Sequence, residues 1–348
     1  SGSGGTNMGF AVQTDMVLPP VHLLGTEEQK QRYLVPSIAG EKISCLGITE
    51  PDAGSDVSGI KTRAVRDGDE YVINGRKWWI SGAMKERCRI FIVMGKTNPD
   101  GPPHQQQSMI LVPRDTPGVT VVRNMQVFGY TDQHGHVELL LENVRVPASN
   151  LVGEEGGGFA IAQARLGPGR IHHCMRWLGV SRRAFDMLCE RAVSRFTHGS
   201  LLAEKQMVQQ WVADSAAEMQ AARLMTLHAA WLIDRHGSSA ARTDVSMIKF
   251  FGAKVLHDVV DRALQAHGAL GYSTDLPLEA MYRFARGARL YDGPDEVHRQ
   301  SVARQILRGY QSHPPAEDGT AQPLPPAVLH LRRTVAALAR RALGRALS

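Results

Sequence analysis

Cysteine is scarce in this 348-residue chain, and its four cysteines lack the spacing of a metal or redox site. Cys45, Cys88, Cys174 and Cys189 stand far apart, and none belongs to a Cys-x-x-Cys pair. A chain of this length buries enough apolar surface to fold without disulfide bonds. We therefore expect reduced thiols, and the sequence predicts no zinc finger and no metal centre.

Long hydrophobic runs are also missing, because no stretch reaches the roughly 18 residues that a membrane-spanning helix requires. Residues 1–5 are glycine and serine and show no basic-then-apolar signal pattern. We expect a soluble, intracellular protein, in a bacterial cytoplasm or, in a eukaryote, in the mitochondrial matrix or a peroxisome.

Positive charge exceeds negative charge by six, and much of the excess lies near the C-terminus. The chain lacks basic–aromatic runs and zipper heptads, so binding to nucleic acid is not predicted. The basic segment 328–347 alternates arginines with apolar residues. It is compatible with a helix that is solvated or packed on another subunit, and also with a peripheral contact to an anionic membrane.

The spacing of apolar residues changes along the chain, which divides it into four segments and predicts an α+β protein with several layers. They are a helical segment (1–43), a β segment (44–150), a second helical segment (151–312) and a proline-rich linker with the basic tail (313–348). Thr26 is the predicted N-cap of a helix in the first segment. In the second, Asn74-Gly75 predicts a two-residue hairpin turn within a small antiparallel barrel or sandwich. The third predicts a bundle of four or five helices.

The segment Thr49–Val57 carries hydroxyl groups and a tight Ala-Gly-Ser turn close to the aromatic pair Trp78-Trp79. Such groups are suited to hold a flat polar ring and a pyrophosphate, although the turn taken alone is also an ordinary capped loop. Because side chains alternate along a strand, we expect Trp78 to face the core. The glycine-rich run 153–158 lacks the Gly-Lys-Ser/Thr of a phosphate loop and predicts a flexible linker. His172-His173-Cys174 points to different sides of a helix, which argues against a metal.

Several longer motifs occur in a fixed order along the chain. They are Ile48-Thr49-Glu50-Pro51, Ala53-Gly54-Ser55-Asp56, Ile73–Ser81, Thr116–Val119, Asn143–Pro147, Gly156–Phe159, Gln265–Tyr272 and Tyr291-Asp292-Gly293. Together they resemble the acyl-CoA dehydrogenase family from about residue 25 to residue 310. The resemblance implies N-terminal helices that are partly missing here, a middle antiparallel β-barrel and a C-terminal four-helix bundle. The segments 167–173 and 292–298 look most like the branch that in animals is fused behind a kinase-like domain.

The resemblance implies an FAD between the β domain and the bundle. It assigns backbone and hydroxyl contacts to Leu46, Ile48, Thr49, Gly54 and Ser55, ring packing to Trp79, and a hydrogen bond at flavin N5 to Ser81. It places the adenosine diphosphate half across a subunit interface, on Arg195, Gln206, Gln265 and Gly268. A shared site implies a homodimer or homotetramer. His198 stands where the family usually has an aromatic residue.

The reaction that the resemblance implies is α,β-dehydrogenation of a fatty acyl-CoA to a trans-2-enoyl-CoA. Asp292 aligns with the family's catalytic base, which removes the α-proton while the β-carbon gives a hydride to the flavin. Burial beneath an acyl chain is expected to raise the pKa of Asp292. Substrate contacts are assigned to Ser55, Arg170, Arg242, Tyr291 and Gly293. The expected electron acceptor is an electron-transferring flavoprotein, as in fatty acid β-oxidation.

Other interpretations of these residues remain open. Asp292 near a helix start is also compatible with a purely electrostatic role at the helix N-terminus. The same fold serves flavin oxidases and monooxygenases in relatives. Because fewer residues precede Thr49 than in relatives, a non-catalytic flavin-binding or assembly protein is a further alternative.

Overall fold

The computed structural model describes residues 18–131 and 135–311, except for the side chains of residues 164–166 and 168. The predicted linker and basic tail, with their membrane contact, lie outside the described residues. Among the helices in the described part, none is long and apolar enough to cross a membrane.

The N-terminal segment is a set of short helical turns that dock on the β domain. They are α1 (Pro19–Leu24), α2 (Glu27–Gln29), a π-helical turn (Lys30–Leu34) and α3 (Val35–Ile38). Thr26 caps α2 as predicted, since its hydroxyl accepts a hydrogen bond from Gln29 N at 3.2 Å. The Gln29 side chain in turn donates to Ser149 O at 2.7 Å and to Leu151 O at 2.9 Å. These bonds fix the helical turns against the far end of the β domain.

An eight-stranded sheet forms the middle domain, and a two-stranded ribbon, β7–β8, accompanies it. In chain order the strands are β1 (Ile43–Gly47), β2 (Arg63–Asp67), β3 (Glu70–Ser81), β4 (Cys88–Lys96), β5 (Gln107–Pro113), β6 (Val119–Asn124), β7 (Gln126–Val127), β8 (Tyr130–Thr131), β9 (His136–Pro147) and β10 (Leu151–Val152). The main path runs β10-β5-β4-β2-β3-β9-β6. The predicted β domain is confirmed, but its pairing is mixed because β1 runs parallel to β4. The connection between them is long enough for a parallel pair.

The predicted hairpin turn at Asn74-Gly75 is wrong, because β3 continues through both residues. The register of β3 against β9 shifts between Ile73 and Gly75, which marks a bulge. A Cβ on Gly75 would lie 2.3 Å from Thr62 Oγ1, so glycine is required by the close approach of β3 to the residue just before β2. Asn74 Oδ1 accepts from Asn143 N at 2.8 Å. The dipeptide thus lies inside β3, where the glycine allows this close approach, and it makes no turn.

Central strands of the sheet are buried on both faces. Phe91 and Val93 pack in one apolar cluster, whereas their neighbours Ile92 and Met94 pack in another cluster that includes Val21 of α1. A strand covered on both sides is apolar without alternation, which is the pattern of Ile90–Met94. The sheet therefore forms the rigid centre on which the loops after β1 and β3 are held.

The C-terminal domain is a helical bundle with one short β-ribbon. Its elements are α4 (Gly158–Ser194), β11 (Phe196–Thr197), β12 (Ser200–Leu201), α5 (Gln206–His236), α6 (Arg242–His267), α7 (Ala269–Tyr272), α8 (Leu278–Ala288) and α9 (Asp295–Gln311). Trp177, Leu188, Val245 and Leu256 are among the residues of its core. Gly237 and Gly268 end α5 and α6 with φ of 79° and 62°, which glycine adopts without strain.

The glycine run before α4 is packed against the sheet, so its prediction as a flexible linker is wrong. A Cβ on Gly156 would lie 2.7 Å from Gln105 O, and one on Gly158 would lie 2.8 Å from Gln107 O. Gly156 N donates to Ser108 Oγ at 2.8 Å. These glycines allow the start of α4 to approach the backbone around the start of β5.

Candidate functional site

The loop after β1 is built around the buried carboxylate of Glu50. Its Oε1 accepts hydrogen bonds from Lys77 Nζ at 2.8 Å and from Thr62 N at 3.0 Å, and its Oε2 accepts from Lys61 N at 2.6 Å. Burial alone would raise the pKa of Glu50, but the Lys77 charge and these donors outweigh it and lower the pKa. Glu50 is therefore ionised. This pair was not predicted from the sequence.

The same pair holds the loop residues that were predicted to contact a flavin. Lys77 Nζ also donates to Ile48 O at 3.0 Å, and Trp78 N donates to Thr49 O at 3.0 Å. Leu46 is half-buried on β1, and Gly54 and Ser55 are exposed beyond it. A Cβ on Gly54 would meet no heavy atom within 4 Å. The turn thus presents its backbone at an uncovered surface.

Trp79 has a left-handed backbone, with φ of 57°, and its residue surface is 39% exposed. Its ring centroid lies 5.7 Å from that of His136, and Ser81 Oγ lies 2.9 Å from His136 Nδ1. His136 was missed from the sequence. The prediction that Trp78 faces the core is wrong, because Trp78 is half-buried and Lys77 takes the inward position. A register shift between Lys77 and Ile80 interrupts the in–out alternation of side chains, so that both of these residues face inward.

This arrangement fits an FAD in its chemistry. An exposed indole offers a flat face for a ring, and the open turn at Gly54-Ser55 offers backbone and hydroxyl groups. A bulky residue with positive φ is rare, and such backbone strain is concentrated at functional sites. The ion pair of Glu50 with Lys77 fixes the loop from beneath.

A second cluster surrounds Asp292, between α8 and α9. Asp292 has φ of 51°, and its side chain is 20% exposed. Its Oδ2 accepts a hydrogen bond from His173 Nε2 of α4. Its backbone carbonyl accepts from Arg170 Nε at 3.3 Å and from His298 Nε2 at 3.1 Å. Three side chains from two helices therefore hold one strained residue.

His173 lies deeper in the bundle than Asp292. Its Nδ1 accepts from the Arg176 guanidinium, and its ring stacks on Trp177 with centroids 5.6 Å apart and an interplanar angle of 9°. Burial lowers the pKa of His173, and this effect outweighs the nearby Asp292 carboxylate. The imidazole is therefore neutral at pH 7, with its proton on Nε2.

Lys249 of α6 is fully buried and braces the same loop. Its Nζ donates to Ala288 O at 2.8 Å and to Gly293 O at 3.1 Å, and it lies 5.2 Å from the Trp177 ring centroid. Burial lowers the pKa of Lys249 to about 8 and raises the pKa of Tyr291 to about 12. Tyr291 Oη accepts from Trp177 Nε1 at 3.0 Å.

Of the predicted substrate residues, the structure brings Arg170, Tyr291 and Gly293 together around Asp292. Ser55 belongs instead to the loop after β1. Arg242 is exposed at the first residue of α6, about two turns before Lys249. His173 and Lys249 were not predicted. The sequence signal for Lys249 is a single charge inside the apolar stretch Val245–Phe251.

The remaining predicted residues lie at another end of the bundle. Arg195 and Gln206 flank the β11–β12 ribbon, and Leu202 N donates to Arg195 O at 3.0 Å. Gln265 lines a concavity of about 280 Å³ with Trp211 and Arg262. Gln265 lies sixteen residues after Lys249 on α6, which corresponds to about 24 Å along the helix. One protomer therefore separates these residues widely from the Asp292 cluster.

Comparison with known proteins identifies the family. Models of the acyl-CoA dehydrogenase N-terminal, middle and C-terminal domains match residues 1–41, 45–144 and 156–307. The chain is 56% identical to "Probable acyl-CoA dehydrogenase FadE2" of Mycobacterium tuberculosis, over 82% of this chain and 71% of that protein. It is 48% identical to human "Acyl-CoA dehydrogenase family member 11", over 83% of this chain but only 37% of that protein.

Solved structures agree with this assignment. An acyl-CoA dehydrogenase from Geobacillus kaustophilus matches with a TM-score of 0.79 and 33% identity, over 86% of this chain and 78% of that chain. Butyryl-CoA dehydrogenase from Megasphaera elsdenii matches with a TM-score of 0.77 and 30% identity, over 87% and 78%. The expected family and fold are confirmed. The chain belongs to the acyl-CoA dehydrogenase family, whose members are FAD-containing oxidoreductases.

Proposed function

We propose that this protein dehydrogenates a fatty acyl-CoA to the trans-2-enoyl-CoA and that Asp292 is the base that removes the α-proton. One observation carries the assignment of the base. Asp292 is a partly exposed carboxylate on a left-handed residue, and side chains of α4 and α9 hold both its carboxylate and its carbonyl. Such constraint is typical of a group that must meet a substrate in one orientation.

FAD, when bound, supplies the acceptor for the hydride that leaves the β-carbon. Leu46, Ile48, Thr49, Gly54, Ser55, Trp79 and Ser81 are the residues that would hold its ring and ribityl chain. The exposed indole of Trp79 and the open turn at Gly54 support this assignment. The buried pair of Glu50 and Lys77 keeps that loop in place.

Arg170 is the proposed contact for the anionic coenzyme A portion, with Tyr291 and Gly293 beside the thioester. Its Nε is tied to Asp292 O, so a substrate phosphate that it binds would be placed relative to the base. Arg242 and Ser55 are proposed as more distant contacts. Fatty acid oxidation is the pathway class that this chemistry fits.

The proposed assembly is a homodimer or homotetramer that shares its flavin sites. Arg195, Gln206, Gln265 and Gly268 would hold the adenosine diphosphate half of a neighbour's FAD, because within one protomer they lie far from Asp292. We further propose that an electron-transferring flavoprotein accepts the electrons. A chain of the solved structure "Electron transferring flavoprotein of Acidaminococcus fermentans: Towards a mechanism of flavin-based electron bifurcation" is similar to this one, with a TM-score of 0.78 and 32% identity.

The test is anaerobic absorbance spectroscopy of the FAD-loaded protein with a panel of C4 to C20 acyl-CoAs. We expect one chain-length class to bleach the flavin band. Asp292→Ala should slow the bleaching by at least about 10²-fold, the usual contribution of a general base. Glu296→Ala is the matched control, because Glu296 is an exposed carboxylate four residues further on. It should bleach at the wild-type rate.

Two outcomes would contradict the proposal. A bound flavin that no acyl-CoA bleaches would exclude dehydrogenation of these substrates. Equal rates for Asp292→Ala and the wild type would leave dehydrogenation intact but would exclude Asp292 as the base.

A further inference from the structure

We propose that His173 is a positioning residue for Asp292, which orients the carboxylate and keeps it in the ionised form that can accept an α-proton. This inference rests on the proposed function, because it concerns the same reaction. His173 was considered from the sequence only as a metal ligand, and its contacts give it a different role.

The hydrogen bonds of His173 define its tautomer. Arg176 is a permanent donor, so His173 Nδ1 can only accept from it. The proton must then lie on Nε2, which faces Asp292 Oδ2 and donates to it. In this hydrogen-bond network of Arg176, His173 and Asp292, the neutral imidazole of His173 donates to one oxygen of the Asp292 carboxylate.

Packing holds this ring in one orientation. The imidazole is buried, stacks on Trp177 one turn later in α4, and lies 5.0 Å from the Tyr291 ring centroid. Rotation of the ring would break both hydrogen bonds and both ring contacts. Because the Asp side chain is short, a fixed donor is the means by which its direction is set.

Several ionisable groups face this dyad from the helices and the loop packed around it. They are Arg170 and Arg176 of α4, Lys249 of α6, Tyr291 in the loop between α8 and α9, and His298 of α9. The three cations favour an ionised Asp292, whereas burial opposes it. His173 adds to them a direct hydrogen bond to the Asp292 carboxylate. Its removal should therefore raise the pKa of Asp292.

The proton balance is simple. The Cα–H bond of the acyl thioester breaks, its electron pair stays on the substrate as the enolate, and the proton bonds to the Asp292 carboxylate. His173 keeps its own Nε2 proton throughout. The protonated Asp292 then exchanges its proton for a deuteron of D2O, and return of that deuteron to the α-carbon completes an exchange that needs no oxidation.

The experiment measures this exchange directly. FAD-loaded protein is incubated in D2O with 3-thia-acyl-CoA esters of C4 to C20, in which the β-sulfur blocks hydride loss but the α-protons remain acidic. Mass spectrometry then gives the rate of α-deuteration between pH 5 and pH 9. The acidic limb of this profile reports the pKa of the base in the complex.

Two substitutions separate hydrogen bonding from packing. His173→Phe retains an aromatic ring next to Trp177 but removes the donor, and it should move the acidic limb upward by about one pH unit. The exchange rate below that limb should therefore fall about tenfold. His173→Gln retains an N–H at a similar reach and should restore the wild-type limb. His172→Phe, the adjacent residue on the same helix, is the matched control and should leave the limb unchanged.

If His173→Phe does not fold, Arg176→Gln provides the second variant, because it leaves the histidine in place but weakens the donor that fixes its tautomer. Its acidic limb should also rise, by less than one pH unit. Folding and flavin content of each variant are checked by circular dichroism and by the absorbance of bound FAD.

The outcomes are distinguishable. Equal pH profiles for His173→Phe, His173→Gln and the wild type would overturn the positioning role, as would a uniform loss of rate at every pH. Exchange that survives in Asp292→Asn would contradict the proposed base itself. Exchange abolished in Asp292→Asn, together with an unshifted His173→Phe profile, would refute the role of His173 and leave the proposed function in place.

Discussion

The ion pair of Lys77 with Glu50 allows a sharp test, because the same loop carries a second lysine–carboxylate pair. Lys77 and Glu50 are 2.8 Å apart, with side chains 0% and 4% exposed. Lys61 and Asp52 are 2.7 Å apart, but their side chains are 74% and 68% exposed. The two pairs have nearly the same length and differ in burial, so Lys77→Met and Lys61→Met form a matched comparison.

The expected magnitude follows from what each substitution leaves behind. Lys77→Met leaves Glu50 charged and buried without its cation and also removes the donor to Ile48 O. Loss of one partner from a buried pair costs about 3–5 kcal/mol. Lys61→Met breaks a surface pair that is solvated and screened, so its effect on stability should be close to zero. The backbone bond from Lys61 N to Glu50 is kept in both variants.

The difference in the free energy of unfolding between Lys77→Met and Lys61→Met is measured by urea unfolding at one fixed protein concentration, with tryptophan fluorescence as the signal. Binding of FAD to the apoprotein gives a second measure, because Ile48 and Thr49 lie on the loop that the buried pair holds. We expect Lys77→Met to weaken FAD binding at least tenfold and Lys61→Met to leave it unchanged. The double variant Glu50→Gln, Lys77→Met should recover part of the lost stability, since no buried charge then lacks a partner.

This prediction is refuted if Lys77→Met and Lys61→Met have the same free energy of unfolding. It also fails if the double variant is less stable than Lys77→Met by the full cost of Glu50→Gln alone. That additivity would mean that the two side chains do not interact.

Two further predictions concern the close approach of Gly75 to Thr62 and the buried histidine beside the loop at Asp292. Gly75→Ala should lower the free energy of unfolding in urea by about 1–3 kcal/mol, because the new Cβ would lie 2.7 Å from Thr62 Cα. Gly179→Ala is the control, because a Cβ there meets open space and should stabilise α4 slightly. Burial lowers the pKa of His298 to about 4, so the unfolded chain binds a proton there between pH 6.5 and pH 4 and stability falls as the pH falls. Between pH 7 and pH 4.5 the free energy of unfolding of the wild type should fall by about 2 kcal/mol more than that of His298→Gln. Equal losses in the two proteins would show that His298 does not couple stability to pH.

Elements with strong local signals were predictable from the sequence. The cap at Thr26 and the ends of α5 and α6 at Gly237 and Gly268 depend on side chains and backbone preferences close in the chain. Runs such as Ile90–Met94 are short and rich in β-branched residues, which favours a buried strand over a buried helix. The resemblance to a family, and no local pattern, led to Asp292 as the candidate base, and that assignment stays a prediction.

Features that depend on distant contacts were not predictable. Asn74-Gly75 has the composition of a hairpin turn, and only the close approach of Thr62, the residue before β2, explains why glycine stands inside β3. Trp78 was expected to face the core, but Lys77 and Ile80 are the buried residues, because a register shift between them alters the alternation. The carboxylate that compensates Lys77 lies 27 residues away in the sequence, so no local pattern marks the lysine as buried.

The two halves of the proposed site share one physical solution. Among the described residues, five that are not glycine have positive φ, and Trp79 and Asp292 are two of them. Each costs backbone strain of about 1–3 kcal/mol, which neighbouring contacts must offset. Next to each of these two residues, a fully buried lysine provides such contacts. Lys77 joins the loop after β1 to the strand of Trp79, and Lys249 binds the carbonyls of Ala288 and Gly293 on either side of Asp292. A buried ammonium is expensive to desolvate, so its use at both points indicates that the position of these backbone segments matters more than the stability it costs.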